Sequence, residues 1–171
     1  MQVSDTISKS SGIRGPSGNL LSVCLLVGLL FPSCEEYNLE RTNPLHYKTD
    51  LLVKDIQVNP STVARTNNVS ISCTVVNRGY ETADFPWDQL DGLYYYISAD
   101  NRYDAGDIEL GTSNLNDIEG GKSTEINGKS LEIPFSAPTG NVYILCFVDK
   151  EGDISEGDET NNVSSYMITV N

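Results

Sequence analysis

Histidine is nearly missing from this chain: His46 is the one imidazole in 171 residues. That excludes most His-based acid–base catalysis and most zinc sites. Basic residues are also scarce, with 11 Lys and Arg against 24 Asp and Glu and a formal net charge of −13. A nucleic-acid binder needs a basic face to displace counterions, and docking on anionic lipid needs a polybasic patch, so both roles are excluded. No apolar run is long enough to cross a bilayer. The longest, residues 20–31, carries no charge but falls well short of the ~20 residues a spanning helix needs. A hydrophobic content of 39% is nevertheless enough for a core.

The short apolar run has its own meaning. Lys9 and Arg14 precede Leu20–Phe31, which has the length of the h-region of a secretory signal. Ser33-Cys34 follows at once. A small residue before a cysteine at that place resembles the lipobox of bacterial lipoproteins, although Phe31 and Pro32 depart from its tightest form. The resemblance implies cleavage before Cys34 and lipidation of its thiol. Glu35-Glu36 resembles the acidic signals that send lipoproteins to the cell surface in the Bacteroides group. The expected division is a signal peptide over 1–33, a lipid-anchored flexible tether over 34–49 and a folded domain over 50–171. The tether shows neither a period of 2 nor one of 3.6, contains Pro44 and His46, and would reach roughly 50 Å when extended.

From residue 50 the hydrophobic period is two. Asp50–Val58 reads as a first strand that stops at Asn59-Pro60. Val69, Ile71, Cys73 and Val75 alternate with Ser70, Ser72 and Thr74, and the strand ends at Asn77-Arg78-Gly79. Leu93, Tyr95 and Ile97 alternate with Tyr94, Tyr96 and Ser98. Further strands are expected at 108–111, 124–135, 142–148 and 163–170, with Asn127-Gly128 as a bulge or hairpin point. About seven strands separated by turns, with no helical stripe, predict an all-β fold, an immunoglobulin-like antiparallel β-sandwich.

Cys73 and Cys146 fall on inward faces of the second and penultimate strands. In such a sandwich these are strands B and F, which face each other across the core. The expected arrangement is a Cys73–Cys146 disulfide, which an exported protein is free to form; two buried thiols acting as small hydrophobes are the competing reading. Antiparallel order also orients the domain. Its first strand starts at the end that holds loops 78–91 and 149–162, and loop 99–107 lies at the opposite end.

Asp50-Leu51-Leu52-Val53, Val75-Val76-Asn77-Arg78-Gly79, Tyr96-Ile97-Ser98-Ala99-Asp100, Asp104–Gly111, Val148-Asp149 and Ile154–Asn162 together resemble a CARDB domain, the cell-adhesion-related domain found in bacteria. The resemblance covers residues 50–171 and implies an Ig-like, non-enzymatic module of surface proteins. An enzyme is disfavoured on the residues as well. The domain has no histidine, its cysteines point inward, and no Ser-centred elbow is present.

Two surfaces are candidates for binding. In the distal loop, Asp100, Asn101, Asp104 and Asp107 have the oxygen chemistry calcium takes, but they lack the EF-hand spacing; Asx-turns are the competing explanation. Tyr94 and Tyr96 point outward by alternation, and with Trp87 they would stack on sugar rings or a partner protein; ordinary cross-strand pairing competes. The function expected from all this is a non-enzymatic lipoprotein, exported to the outer membrane or surface of a Gram-negative, Bacteroides-like bacterium. It would display one Ig-like domain for adhesion or protein–protein interaction. A glycan-binding accessory lipoprotein is the alternative. The membrane is met through the lipid anchor, and no cofactor beyond a calcium ion is expected.

Overall fold

The structure is a computed structural model, and it describes residues 48–85 and 92–171. Among these residues the regular elements are all strands: β1 (Leu51–Asn59), β2 (Thr62–Val63), β3 (Asn68–Asn77), β4 (Leu93–Ser98), β5 (Ile108–Ser113), β6 (Ser123–Glu132), β7 (Gly140–Val148) and β8 (Val163–Val170). They form a three-stranded sheet, β1-β3-β6, and a five-stranded sheet, β2-β8-β7-β4-β5.

The core lies between the sheets and is built by the expected alternation. Val69, Ile71, Cys73 and Val75 of β3 are buried, as are Leu93, Tyr95 and Ile97 of β4 and Val142, Ile144, Cys146 and Val148 of β7. A pleated strand sends alternate side chains to opposite faces, so each run of β-branched and aromatic residues at every second position becomes one wall of the core. Tyr95 is the largest fully buried side chain, and its hydroxyl is satisfied by Ser113 Oγ at 3.0 Å. The sheets are also tied directly, since Ser164 Oγ donates to the Val53 carbonyl at 2.5 Å.

Three details differ from the sequence expectation or sharpen it. β2 was not expected: it is two residues long and pairs parallel with the end of β8, too short to show a period. β6 stops at Glu132, so Phe135 lies beyond it and is 76% exposed. Asn127-Gly128 is a bulge and not a hairpin turn. The β3–β6 register shifts between Ile71 and Cys73, Gly128 has φ 66°, and its amide donates to Ser72 Oγ at 3.0 Å.

The expected orientation is observed. Thr49 bridges Glu156, the Arg78 amide donates to the Asp50 carbonyl, and the Asp149 amide donates to the Gly92 carbonyl. The start of β1 and the loops after β3 and β7 therefore share one end, here called the base. The 99–107 loop, which follows Ser98 of β4, is at the other end beside Pro138, where it borders a depression of about 290 Å³.

Candidate functional site

The base is organised by side chains that replace missing backbone partners. Asn77, fully buried, ends β3 and uses both sides of its carboxamide. Its Oδ1 accepts from the amides of Asp50 (3.2 Å) and Gly79 (3.0 Å). Its Nδ2 donates to the carbonyls of Glu81 (2.7 Å) and Ile118 (2.9 Å). Gly79 is required beside it, because a Cβ there would lie 1.9 Å from the Lys48 carbonyl oxygen. Asp50 pairs with Arg78 at 3.0 Å and accepts from Asn161 Nδ2 at 2.8 Å.

The loop between β7 and β8 carries the buried carboxylates. Asp149 is in the left-handed region (φ 51°), and its two oxygens accept from the amides of Asp153 and Ile154, each at 3.1 Å. Glu156 Oε2 accepts from the Leu51 amide, and its Oε1 accepts from Asn162 Nδ2 at 2.5 Å. Glu159 Oε1 accepts from the Glu156 amide at 2.9 Å. Carboxyl oxygens of Asp149, Glu156 and Glu159 lie within 4.8 Å of one another. Burial pushes Asp149 up to about 6 and Glu156 up to about 7, against the amide hydrogen bonds that favour the ionised forms.

The distal acidic loop behaves differently. Asp100 Oδ1 accepts from the Arg102 amide (2.8 Å), Asp104 Oδ1 from the Gly106 amide (2.6 Å) and Asp107 Oδ2 from the Asp104 amide (2.9 Å). The first two are Asx turns, and the third, from Asp107 back to Asp104, closes the loop on itself. Asp100, Asn101 and Asp104 are exposed and Asp107 half-buried. Their acids form no convergent three-residue group; among the described residues that arrangement occurs at Asp149, Glu156 and Glu159. The sequence shows both acidic clusters, but not which carboxylates converge. Burial decides that, and Glu156 and Asn162 flank a loop with no period to reveal it.

Tyr94 and Tyr96 point away from the core, as expected, with ring centroids 6.5 Å apart. Tyr96 is nevertheless only 4% exposed. Tyr103, from the distal loop, packs edge-on against Tyr96 at 4.9 Å and against Phe147 at 5.2 Å. Tyr96 is thus covered and has no free face on which a sugar ring could stack. Lys150 Nζ lies 5.0 Å from the Tyr94 ring. Leu145, paired with Tyr96, is fully buried on this same outer face, and Met167, paired with Tyr143, is 52% exposed. Trp87, expected beside the two tyrosines, lies outside the described residues, as does Cys34.

Cys73 and Cys146 meet across the core as the alternation requires. Where the sequence predicts a bridge, the structure has two free buried thiols. The neighbouring Cys73 thiol and burial push the Cys146 thiol well above its ordinary value.

The CARDB family model matches residues 48–166. The chain belongs to the CARDB family, a cell-adhesion-related and non-catalytic domain family. Among solved structures, the CARDB domain of a Pyrococcus furiosus protein, crystallised in complex with di-metal ions, matches at 18% identity with a TM-score of 0.51. The match covers 75% of this chain and 94% of that one. The solution structure of the same domain matches at 20% identity with a TM-score of 0.49, covering 72% and 95%. A putative cell surface protein domain from Methanosarcina acetivorans matches at 18% identity with a TM-score of 0.45, covering 72% and 93%. No curated protein matches. The structure gives the CARDB pattern of this chain a physical reading. Asp50-Leu51, Asn77-Arg78-Gly79 and Glu156–Asn162, far apart in sequence, are bonded to one another at the base. The pattern holds the first strand against two loops.

Proposed function

We propose that this chain is a non-enzymatic surface lipoprotein whose CARDB domain serves adhesion or protein–protein contact. Lipid at Cys34 and the 35–47 segment would carry the sandwich. The observation that carries the reading is the outer face of the five-stranded sheet. There Tyr103 and Met167 are exposed and Tyr94 and Phe147 half-buried, over Tyr96 and Leu145, which are themselves covered. Sheet faces turned to solvent are usually polar, and an aromatic and aliphatic one suits a partner protein. Membership of a cell-adhesion-related family supports the same reading.

The test uses the full-length protein in a Bacteroides-like host. Labelling with a palmitate analogue marks the protein, and Cys34→Ala removes the mark. Protease added to intact cells releases the domain. A photo-crosslinker at position 167 joins it to a protein, whereas one at Glu125 on the other sheet does not. Absence of lipid label, resistance to protease on intact cells, or equal crosslinking from both faces counts against the proposal.

A further inference from the structure

We propose that Asp149, Glu156, Glu159 and the Oδ1 of Asn162 form a calcium site at the base of the sandwich. Three carboxyl groups converge within 4.8 Å, and two of the residues are buried, Asp149 at 8% and Glu156 at 5% exposure. Like charges brought together out of water must be offset by a proton or a cation. No basic side chain does so: the ion pairs among the described residues are Lys54–Asp55, Arg78–Asp50 and Lys150–Glu151. The backbone amides that bond these carboxylates occupy only part of their lone pairs, and the remainder are available to a metal.

An independent observation concerns Asn162. It is 3% exposed, yet its Oδ1 has no hydrogen-bond partner. Its Nδ2 is anchored on Glu156 Oε1, and Oδ1 shares the same carbon, so the orphan oxygen is held beside the carboxyl group. A buried amide oxygen left without a donor is costly in a protein interior, and a cation would satisfy it. The donor set is carboxylate and carbonyl oxygen throughout, which suits a hard cation that accepts six to eight oxygens, with water completing the shell on the exposed Glu159 side. The site would clamp the loop after β7 to the start of β1, because Glu156 also holds Leu51.

The experiment follows thermal unfolding of the full-length protein in calcium chloride, in EGTA, and in sodium chloride of matched ionic strength. At about 5 mM calcium the melting temperature rises by roughly 4 °C over the sodium control, with affinity on the order of 10⁻⁴–10⁻³ M. Glu159→Gln keeps an oxygen for the Glu156 amide and takes one like charge out of the cluster, so its melting temperature in EGTA is at or above the parent value and its calcium response disappears. Asn162→Asp loses the donor to Glu156 and adds a like charge beside it, so its melting temperature in EGTA falls and its rise in calcium is larger than the parent's. Asp104→Asn, in the distal loop, leaves the response intact. No rise over the sodium control, or a rise of full size in Glu159→Gln, overturns the proposal.

Discussion

Glu156 accepts the amide proton of Leu51, 105 residues before it in the chain. The first core residue of β1 is thereby fixed by a side chain from the last loop, at a point where a neighbouring strand would normally supply the acceptor.

Replacing that acceptor separates packing from hydrogen bonding. Glu156→Ala leaves the buried Leu51 amide and Asn162 Nδ2 without a partner and costs about 2–4 kcal/mol. Glu156→Gln keeps an oxygen for Leu51, and Asn162 can turn its amide to match, so the cost falls to about 1 kcal/mol. Urea unfolding of the two variants measures the difference. Equal losses would mean that the Leu51 bond contributes nothing.

Stability in EGTA falls as pH rises. Burial raises Glu156 from 4.5 to about 7 and Asp149 from 3.8 to about 6 on folding. A carboxyl that binds its proton more tightly when folded contributes stability in full below the unfolded value and loses it as pH climbs through the folded one. The melting temperature therefore drops between about pH 4.5 and pH 7.5, and Glu156→Gln flattens much of the drop. Exposed Asp158, lowered by its bond to the Thr160 side chain, acts in the opposite sense at more acid pH. A melting temperature that rises over the pH 5–7 range would contradict the burial of the pair.

Much of this was legible beforehand. The every-second-residue pattern at Leu93, Tyr95 and Ile97 or at Val142, Ile144, Cys146 and Val148 can be satisfied only by a pleated strand with one wet and one dry face. Antiparallel order then dictates which loops share an end. Tyr96 shows where this logic stops. Alternation places it outward, but whether an outward ring is exposed depends on Tyr103, which reaches it from a loop with no period. The same holds for the acids. Charge is visible in sequence, whereas convergence depends on the loop backbone, such as the left-handed turn at Asp149.

Asn77 makes four hydrogen bonds while fully buried, so its removal takes a partner from the Asp50 and Gly79 amides and the Glu81 carbonyl, while the Ile118 carbonyl keeps the Ala83 amide. Asn77→Ala is expected to cost about 3–5 kcal/mol, and Asn77→Asp nearly as much, since a carboxylate cannot donate to Glu81 and Ile118. Equilibrium denaturation of both gives the test. A loss under about 1 kcal/mol would show that loop water replaces the side chain.

Cys73 and Cys146 are placed to be oxidised. Reaction with a small-molecule disulfide would form one S–S bond and release two thiols. The bridge would close a loop of about 70 residues and contribute roughly 4 kcal/mol on the chain-entropy model. Intact mass before and after oxidation detects the bond, and unfolding with and without reductant measures it. Reversible loss of two free thiols together with a higher midpoint is the expected result, and Cys73→Ala removes both effects.

The short β2 strand runs parallel to β8, with the Thr169 amide bonded to Ser61 and the Asn171 amide to Val63. The domain's first described residues lie at the base, and β8 finishes at the opposite end, beside the start of β7. Tension applied between the two ends therefore pulls β1 and β8 along their own lengths. The bonds that hold them to β3, to β7 and to β2 are then strained side by side, all at once, and must fail together, whereas a hairpin pulled open from one end gives way one rung at a time. Load applied along that line would meet the β1–β3, β7–β8 and β2–β8 bonds in shear, and the parallel patch adds its two bonds to that resistance.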